Sequence, residues 1–324
     1  MTHAIRVHQP GGPEQMRWEE VEIGEPGPGE VRIRQTAAGL NFIDVYHRTG
    51  LYPQPLPFTP GTEGAGVIEA IGPHVQSWQI GDRVAYAGPI GGYAEERLIA
   101  ADRLVRLPDD ISDEQAAAMM LQGMTVDMLI NRVRPLQKDE TILVHAAAGG
   151  VGLILSQWAS AIGATVIGTV STEEKAELAR ANGCDHPILY KSQDFVEQVR
   201  ELTGGSGVPV VYDSVGKDTF LRSLDCLSPR GMMVSFGQSS GAIEPFSPGI
   251  LAQKGSLFLT RPTLFTYIAD RRELEQSAAA LFDMVRNGKV RIDIGQRFPL
   301  SEAAEAHRAL EGRQTTGSTV LTIG

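Results

Sequence analysis

At 324 residues the chain exceeds the usual size of a single hydrophobic core, so about two domains are expected. Hydrophobic residues at 42% and charged residues at 21% describe a globular protein, and a net charge of −10 argues against a broad nucleic-acid-binding surface. No apolar run approaches the roughly 20 residues of a membrane helix, and the opening MTHAIRVHQPGGPEQ lacks the apolar core of a secretory signal. The expected location is the cytosol, with Cys184 and Cys226 as two buried thiols.

Residues 4–108 read as short strands broken by glycine and proline. EVRIRQTAAG (30–39) alternates with period two, AGVIEAIG (65–72) reads as a buried strand, and GDRVAYAG (81–88) follows a turn. This rhythm predicts a partly open barrel or compact β domain. At Ser112 the character changes: Ser112 with Gln115 three residues on is a capping box that opens an alanine-rich helix.

Strands and helices then alternate. Strands are predicted at 141–146, 165–169, 208–213, 232–236 and 257–260, and helices at 150–162, 173–182, 194–203 and 219–227. Gly183 and Gly204 stand where C-terminal caps belong. Repeated β-α units with apolar strands predict a doubly wound parallel sheet covered on both faces. The tail holds helices near 272–287 and 301–311 and a last strand, STVLTIG. The expected organisation is a mainly β domain over 1–123 and 264–324, with a Rossmann-type domain inserted at 124–263.

The turn AAAGGVG (146–152) approximates G-x-G-x-x-G. Its three glycine positions fall on Ala147, Gly149 and Gly152. The two retained glycines govern backbone approach to a pyrophosphate and helix–sheet packing. The methyl at Ala147 is expected to fit a turn with negative φ. Amides near Gly150–Leu153 would meet the phosphates at a helix N-terminus.

An acid is expected about 20 residues further on, where it would hold an adenosine ribose. Ser171 stands there instead. Serine removes the repulsion of a 2′-phosphate and can donate to it, and Lys175 can reach back as a point charge. Lys175 is alternatively a solvated lysine beside Glu173 and Glu174. The balance points to NADPH rather than NADH.

On AAGLNFIDVYHRTGLYP (37–53), PGTEGAGVIEAIG (60–72), GDRVAY (81–86), AAAGGVG (146–152), VVYDSVG (210–216) and GSLFLTRPTL (255–264), the chain resembles a known family. It is the zinc-free quinone oxidoreductase branch of the medium-chain dehydrogenase/reductase superfamily, which includes the zeta-crystallins. The resemblance spans nearly the whole chain. It implies a GroES-like catalytic domain around a Rossmann domain, NADPH as donor and a quinone as acceptor in the cleft between them.

In the zinc-dependent branch three side chains hold the catalytic metal. The matching positions here are Asn41, Thr62 and Leu121, none of which supplies a thiolate or imidazole. His47 and Glu63 lie nearby but do not make a site, and two cysteines cannot build a four-cysteine lobe. No metal is expected. Without a Lewis acid the chemistry favours an acceptor that is already electron-poor, and the protein's task is positioning and hydrogen bonding. Asn41, Tyr46 and Tyr52 are the candidate catalytic residues. The amide of Asn41 would bond a quinone oxygen or the nicotinamide ribose. The two tyrosines would donate a proton or stack on the ring, or else form an amphipathic wall.

Further cofactor contacts follow from the resemblance. They are Thr125; Ala148, Gly149, Gly150, Val151 and Gly152 of the turn; and Tyr190, which would join Lys175 and Ser171 at the 2′-phosphate. Ser214 and the turn Phe236, Gly237, Gln238 and Ser239 complete the strand ends, with Thr260 and Arg261 near the carboxamide and Arg313 near the adenosine phosphates. Asp213 either contacts the cofactor or caps the next helix. The family also implies a homodimer through the edge strand near 256–261. Two alternatives are carried: a zinc-free enone or alkenal reductase, and a cofactor-binding structural or RNA-binding protein, against which the acidic charge counts.

Overall fold

The computed structural model describes residues 2–324. Glycine- and proline-rich turns cut the first third into strands β1 (Thr2–Val7), β2 (Met16–Val21), β3 (Glu30–Leu40), β4 (Glu63–Ile71), β5 (Arg83–Ala87), β6 (Glu96–Ala100) and β7 (Val105–Arg106). The pleat sorts side chains along β3: Val31, Ile33 and Gln35 are buried, and Arg34 faces solvent. A short helix, α1 (Phe42–Arg48), separates β3 from β4. After β7 come α2 (Asp113–Ala117) and α3 (Met120–Asp127). The capping box is present, with Gln115 N donating to Ser112 Oγ at 3.2 Å and Ser112 N to Gln115 Oε1 at 3.1 Å.

The alternating region supplies β8 (Thr141–Val144), α4 (Gly150–Ile162), β9 (Thr165–Val170), α5 (Glu173–Ala181), β10 (His186–Leu189), α6 (Phe195–Leu202), β11 (Val208–Asp213), α7 (Phe220–Ser223), β12 (Leu227–Ser235), α8 (Gly249–Gln253) and β13 (Phe258–Thr260). Gly183 and Gly204, just beyond α5 and α6, have φ of 87° and 58°, the left-handed conformation that ends a helix. The chain closes with α9 (Leu264–Tyr267), α10 (Arg271–Arg286), β14 (Ile294–Pro299), α11 (Ala303–Glu311) and β15 (Ser318–Thr322).

Two compact units result. The first comprises Met1–Met124, Tyr267–Arg286 and Ile292–Gly324. Its main sheet runs β14-β15-β3-β4-β5-β7, with β6 also paired to β3, and β1 and β2 form a separate hairpin. Val31, Ile33, Ile68, Trp78, Val84 and Leu104 fill one of its cores. The second unit comprises Thr125–Thr266 and Asn287–Arg291. Its sheet is parallel throughout, in the order β10-β9-β8-β11-β12-β13, the doubly wound Rossmann arrangement. Leu143, Ile167, Val211, Phe220 and Met233 pack within it. The fold class is thus the α/β one expected.

Two expectations need correction. Residues 287–291 join the second unit. There the Gln157 side chain pairs with the backbone of Arg291, accepting at 2.8 Å and donating at 3.0 Å. The sheet also gains a strand, β10, that the sequence did not suggest: Pro187 lies within it, and proline lowers strand propensity except at an edge, where β10 lies.

Candidate functional site

In the second unit the candidate nucleotide site gathers at the C-terminal ends of the strands, where β8 and β11 diverge to opposite halves of the sheet. After β8 the chain turns through Ala146, whose φ is 56°. The left-handed residue is therefore Ala146, one place before the position expected to make the turn. Ala147 N donates to Thr169 O at 3.1 Å and Gly149 N to Ala146 O at 3.0 Å, tying the turn to β9. Gly149 then caps α4 with extended backbone, φ −84°.

Helix α4 begins its hydrogen-bond ladder with Leu153 N donating to Gly149 O at 2.9 Å. The amides of Gly150, Val151 and Gly152 precede that bond and meet the positive end of the helix dipole. A Cβ on Gly152 would overlap the Ala146 carbonyl oxygen and lie 2.7 Å from Ala147 Cα, so the close helix–turn packing depends on glycine. At Gly149 the nearest atom to such a Cβ is Ala146 O at 3.3 Å; that glycine leaves open the space above the amides. Ala148 is buried and Val151 half-buried beside it.

At the end of β9, Ser171 is half-buried and Thr172 caps α5 by accepting from Lys175 N at 3.3 Å. Lys175 is therefore fixed in the first turn of α5, beside Ser171. Glu173 pairs with Arg180 at 3.3 Å. Tyr190 N donates to Val170 O at 3.2 Å, bringing that ring to the same strand end, and the residue is 38% exposed.

The turns after β11 and β12 interlock. Ser239 N donates to Ser214 O at 3.1 Å, and a Cβ on Gly237 would come within 2.8 Å of Ser214 Cα. Phe236, Gln238 and Ser239 are half-buried around them. Asp213 is fully buried and accepts from Val215 N at 2.7 Å and Thr219 Oγ1 at 2.9 Å, so it braces the turn before α7 and caps no amide of that helix. Thr260 closes β13, and exposed Arg261 donates to Ser235 O at 3.1 Å. Thr125 opens the unit within α3. Arg313 lies in the first unit, exposed after α11 with φ 57°.

The first unit builds a second polar centre around α1. Asn41 starts the helix: its N–H donates to Asp44 Oδ2 at 2.9 Å, and Asp44 N returns to Asn41 O at 3.0 Å. Asn41 was expected to offer its amide to a ligand. Part of that amide is already engaged, with Nδ2 donating to Glu63 Oε1 at 2.6 Å and Oδ1 accepting from Gln122 Nε2 at 3.1 Å. Leu121 N donates to the other Glu63 oxygen at 2.7 Å, and Thr62 Oγ1 donates to Asp44 Oδ1 at 3.0 Å. The three positions that match zinc ligands thus all satisfy two buried carboxyls. Burial pushes Asp44 up to about 7 and Glu63 up to about 8, against the pull of these donors.

Further polar groups continue inward from Asp44. Tyr93 Oη donates to Asp44 Oδ2 at 3.0 Å and lies 3.3 Å from His307 Nε2. Arg48, 1% exposed, donates to His307 Nδ1 at 3.1 Å and to both Glu311 oxygens at 2.8 and 2.9 Å. Tyr46 and Tyr52 meet edge to face at 5.2 Å, and Tyr52 N bonds Tyr46 O at 3.0 Å. His47 is buried and pushed down to about 4, hence neutral, and its Nδ1 has no hydrogen-bond partner among the described residues. Among the described residues no group of three or more His, Cys, Asp or Glu side chains could hold a metal ion.

Glu63, Gln122, Asp44 and Tyr93 were not singled out from sequence as site residues. The usable signal was a glutamate inside the otherwise apolar run EGAGVI: a buried charge must find donors.

A β domain carrying an inserted parallel-sheet Rossmann domain is the plan of the medium-chain dehydrogenases and reductases. Residues 27–109 match the alcohol dehydrogenase GroES-like domain and residues 150–282 the zinc-binding dehydrogenase domain. The chain is 53% identical to a quinone oxidoreductase of Pseudomonas aeruginosa and 49% identical to a 2-haloacrylate reductase of a Burkholderia species, each over 99% of both chains. The crystal structure of the Escherichia coli quinone oxidoreductase complexed with NADPH superposes with a TM-score of 0.97, at 48% identity over 99% of both chains. The chain belongs to the quinone oxidoreductase family of that superfamily.

Proposed function

We propose that the protein reduces quinones with NADPH, the second unit holding the cofactor and the α1 region of the first orienting the acceptor. The observation that carries the cofactor half is the Gly149–Gly152 cradle: room above Gly149, close packing at Gly152, and three helix amides ahead of the first helical bond. Ser171 with Lys175 and Tyr190 at the end of β9 supports a phosphorylated ribose, because no carboxylate stands at Ser171 to repel it. Gly150, Val151 and Gly152 would hold the pyrophosphate. Thr125, Ser214, Phe236–Ser239, Thr260, Arg261 and Arg313 remain the further proposed contacts. Bound NADPH supplies the reducing equivalents.

The acceptor half rests on Asn41, whose second amide N–H donates to no described residue, and on the Tyr46–Tyr52 pair. An N–H donor and aromatic edges suit a flat, electron-poor ring whose oxygen gains charge on reduction. The donor set also fits a metal-free reaction: both Glu63 oxygens accept N–H groups, and neither Asn41, Thr62 nor Leu121 supplies a soft ligand. A second reading, reduction of an activated alkene, is favoured by the 49% identity to the 2-haloacrylate reductase.

NADPH oxidation should be followed with 1,4-benzoquinone, 9,10-phenanthrenequinone, a simple alkenal and 2-chloroacrylate. Fast quinone turnover is expected. Negligible quinone turnover beside fast alkene reduction overturns the first reading in favour of the second. Edge strand β13, with Phe258 57% exposed and Leu259 38% exposed, supports a homodimer formed by continuing the sheet. Two buried free thiols suit a reducing cytosol, and among the described residues no helix is long and apolar enough to cross a membrane.

A further inference from the structure

Asn41 is one link in a buried chain of hydrogen bonds with a direction. Leu121 N and Asn41 Nδ2 donate to the two oxygens of Glu63, at 2.7 and 2.6 Å. Asn41 Oδ1 accepts from Gln122 Nε2 at 3.1 Å, and Gln122 Oε1 accepts from Ser318 Oγ at 2.8 Å. Ser318 Oγ also lies 2.8 Å from Ala118 O, so its single hydrogen faces two acceptors. The opposite direction would satisfy this end better: with both amides turned over, Gln122 would donate to Ser318, and Ser318 to Ala118 O alone. Only Glu63, which as a carboxylate accepts and cannot donate, requires the amide nitrogen of Asn41 to face it.

We propose that Glu63 is a positioning residue that sets which way the Asn41 amide points, and so where its second N–H is offered to the reacting oxygen. The inference rests on the reading that Asn41 contacts the acceptor. Glu63 ionises near pH 8 because burial opposes its two donors. The titratable groups facing it are Asp44 of α1, Tyr86 of β5 and Tyr93 of the following loop. A protonated Glu63 can donate to Asn41 Oδ1, as a glutamine would, and the lock is then released.

The test compares Asn41→Ala, Glu63→Gln and Glu63→Ala, reading kcat and KM for NADPH and quinone, their pH profiles, and Tm. In Glu63→Gln the new carboxamide oxygen still accepts Leu121 N while the carboxamide NH₂ turns over the Asn41–Gln122 chain, with every group satisfied. Expected above about pH 8, where wild-type Glu63 is ionised, are a Tm no lower than wild type, an unchanged KM for NADPH and a kcat about 10²-fold lower, the scale of a misplaced catalytic contact. Wild-type kcat should rise through about pH 8 as Glu63 ionises, and this step should vanish in Glu63→Gln. Glu63→Ala, which removes the carboxyl that accepts from Leu121 N and Asn41 Nδ2, should lose Tm as well.

An impaired Asn41→Ala beside a fully active Glu63→Gln overturns the inference and leaves the reading of Asn41 intact. A fully active Asn41→Ala overturns that reading, and the inference with it. A Glu63→Gln variant that loses Tm as Glu63→Ala does shows a merely structural residue and also overturns the inference.

Discussion

The two glycines of the phosphate turn make different demands, and alanine at each should separate them. At Gly152 the new Cβ overlaps Ala146 O and lies 2.7 and 2.8 Å from Ala147 Cα and C. All three atoms are backbone and cannot swing aside, so α4 must retreat from the turn by a substantial fraction of an ångström. Overpacking of this kind costs about 1–3 kcal/mol, and at roughly 2–4 °C per kcal/mol the loss is visible by calorimetry. At Gly149 the nearest atom is 3.3 Å away and φ is −84°, so alanine fits the folded chain. Its methyl, however, projects into the space above the helix amides, where a pyrophosphate would sit. Gly152→Ala should therefore lose Tm and cofactor affinity together, whereas Gly149→Ala should keep Tm and lose NADPH affinity by tenfold or more, about 1.4 kcal/mol. Calorimetry paired with fluorescence titration of NADPH checks both. A Gly149→Ala variant that binds NADPH normally would refute the claim that the cofactor backbone approaches there. A Gly152→Ala variant of unchanged Tm would refute the packing argument.

Other outcomes follow from the same geometry. Lys175→Ala should raise the NADPH dissociation constant by about 10- to 100-fold, the cost of one charge-assisted contact, and leave NADH binding unchanged; equal losses for both would remove Lys175 from the 2′-phosphate. Stability should respond to pH most through four buried groups, with His145, also lowered by burial, adding to the histidine side. Asp44 and Glu63, raised to about 7 and 8, stabilise fully below their unfolded values near 4 and lose that contribution as pH rises through 7–8. His47 and His307, lowered to about 4 and 3, stabilise fully above about 6.5 and lose it as pH falls through their folded values. The slopes oppose one another below pH 6.5, so any change of Tm from about 5 to 6.5 should be smaller than its fall from 6.5 to 8, where the carboxyls act alone at up to about 1.4 kcal/mol per unit each. A Tm that climbs over that upper interval contradicts the assignment. In the proposed dimer through β13, wild type should run as a dimer and Phe258→Asp as a monomer by light scattering; a monomeric wild type, or a dimer that persists in the variant, would refute that interface.

What the sequence made legible was local. The Rossmann turn, the Ser112 capping box and the glycine caps after α5 and α6 each depend on residues within a few positions of one another, and each is present. β10 was missed because its proline and its edge position weaken the apolar signal. α1 was not foreseen as a helix: it spans only Phe42–Arg48, and its start is secured by the exchange between Asn41 and Asp44 rather than by a long periodic face. The polar centre was illegible for a different reason. Asn41, Glu63, Gln122 and Ser318 are far apart in sequence; the pairing of β15 with β3 and of β3 with β4 brings three of their segments together, and Gln122 reaches them from α3. No spacing rule announces such a cluster.

That cluster also explains how the first unit tolerates carboxyls at a place where the related zinc enzymes carry a cation. Two fully buried acids without a metal must be neutralised or supplied with donors. Here Asn41 and Leu121 serve Glu63, while Thr62, Tyr93 and the Asn41 backbone serve Asp44. Because both Glu63 oxygens already accept N–H groups, the glutamate is a poor ligand for any incoming ion, and it is free to act on the orientation of Asn41 instead. Removing the donors should therefore not create a metal site, since neither Thr62 nor Leu121 can supply a nitrogen or sulfur ligand. It should only drive the carboxyls further toward their protonated forms, steepening the fall of stability between pH 6.5 and 8.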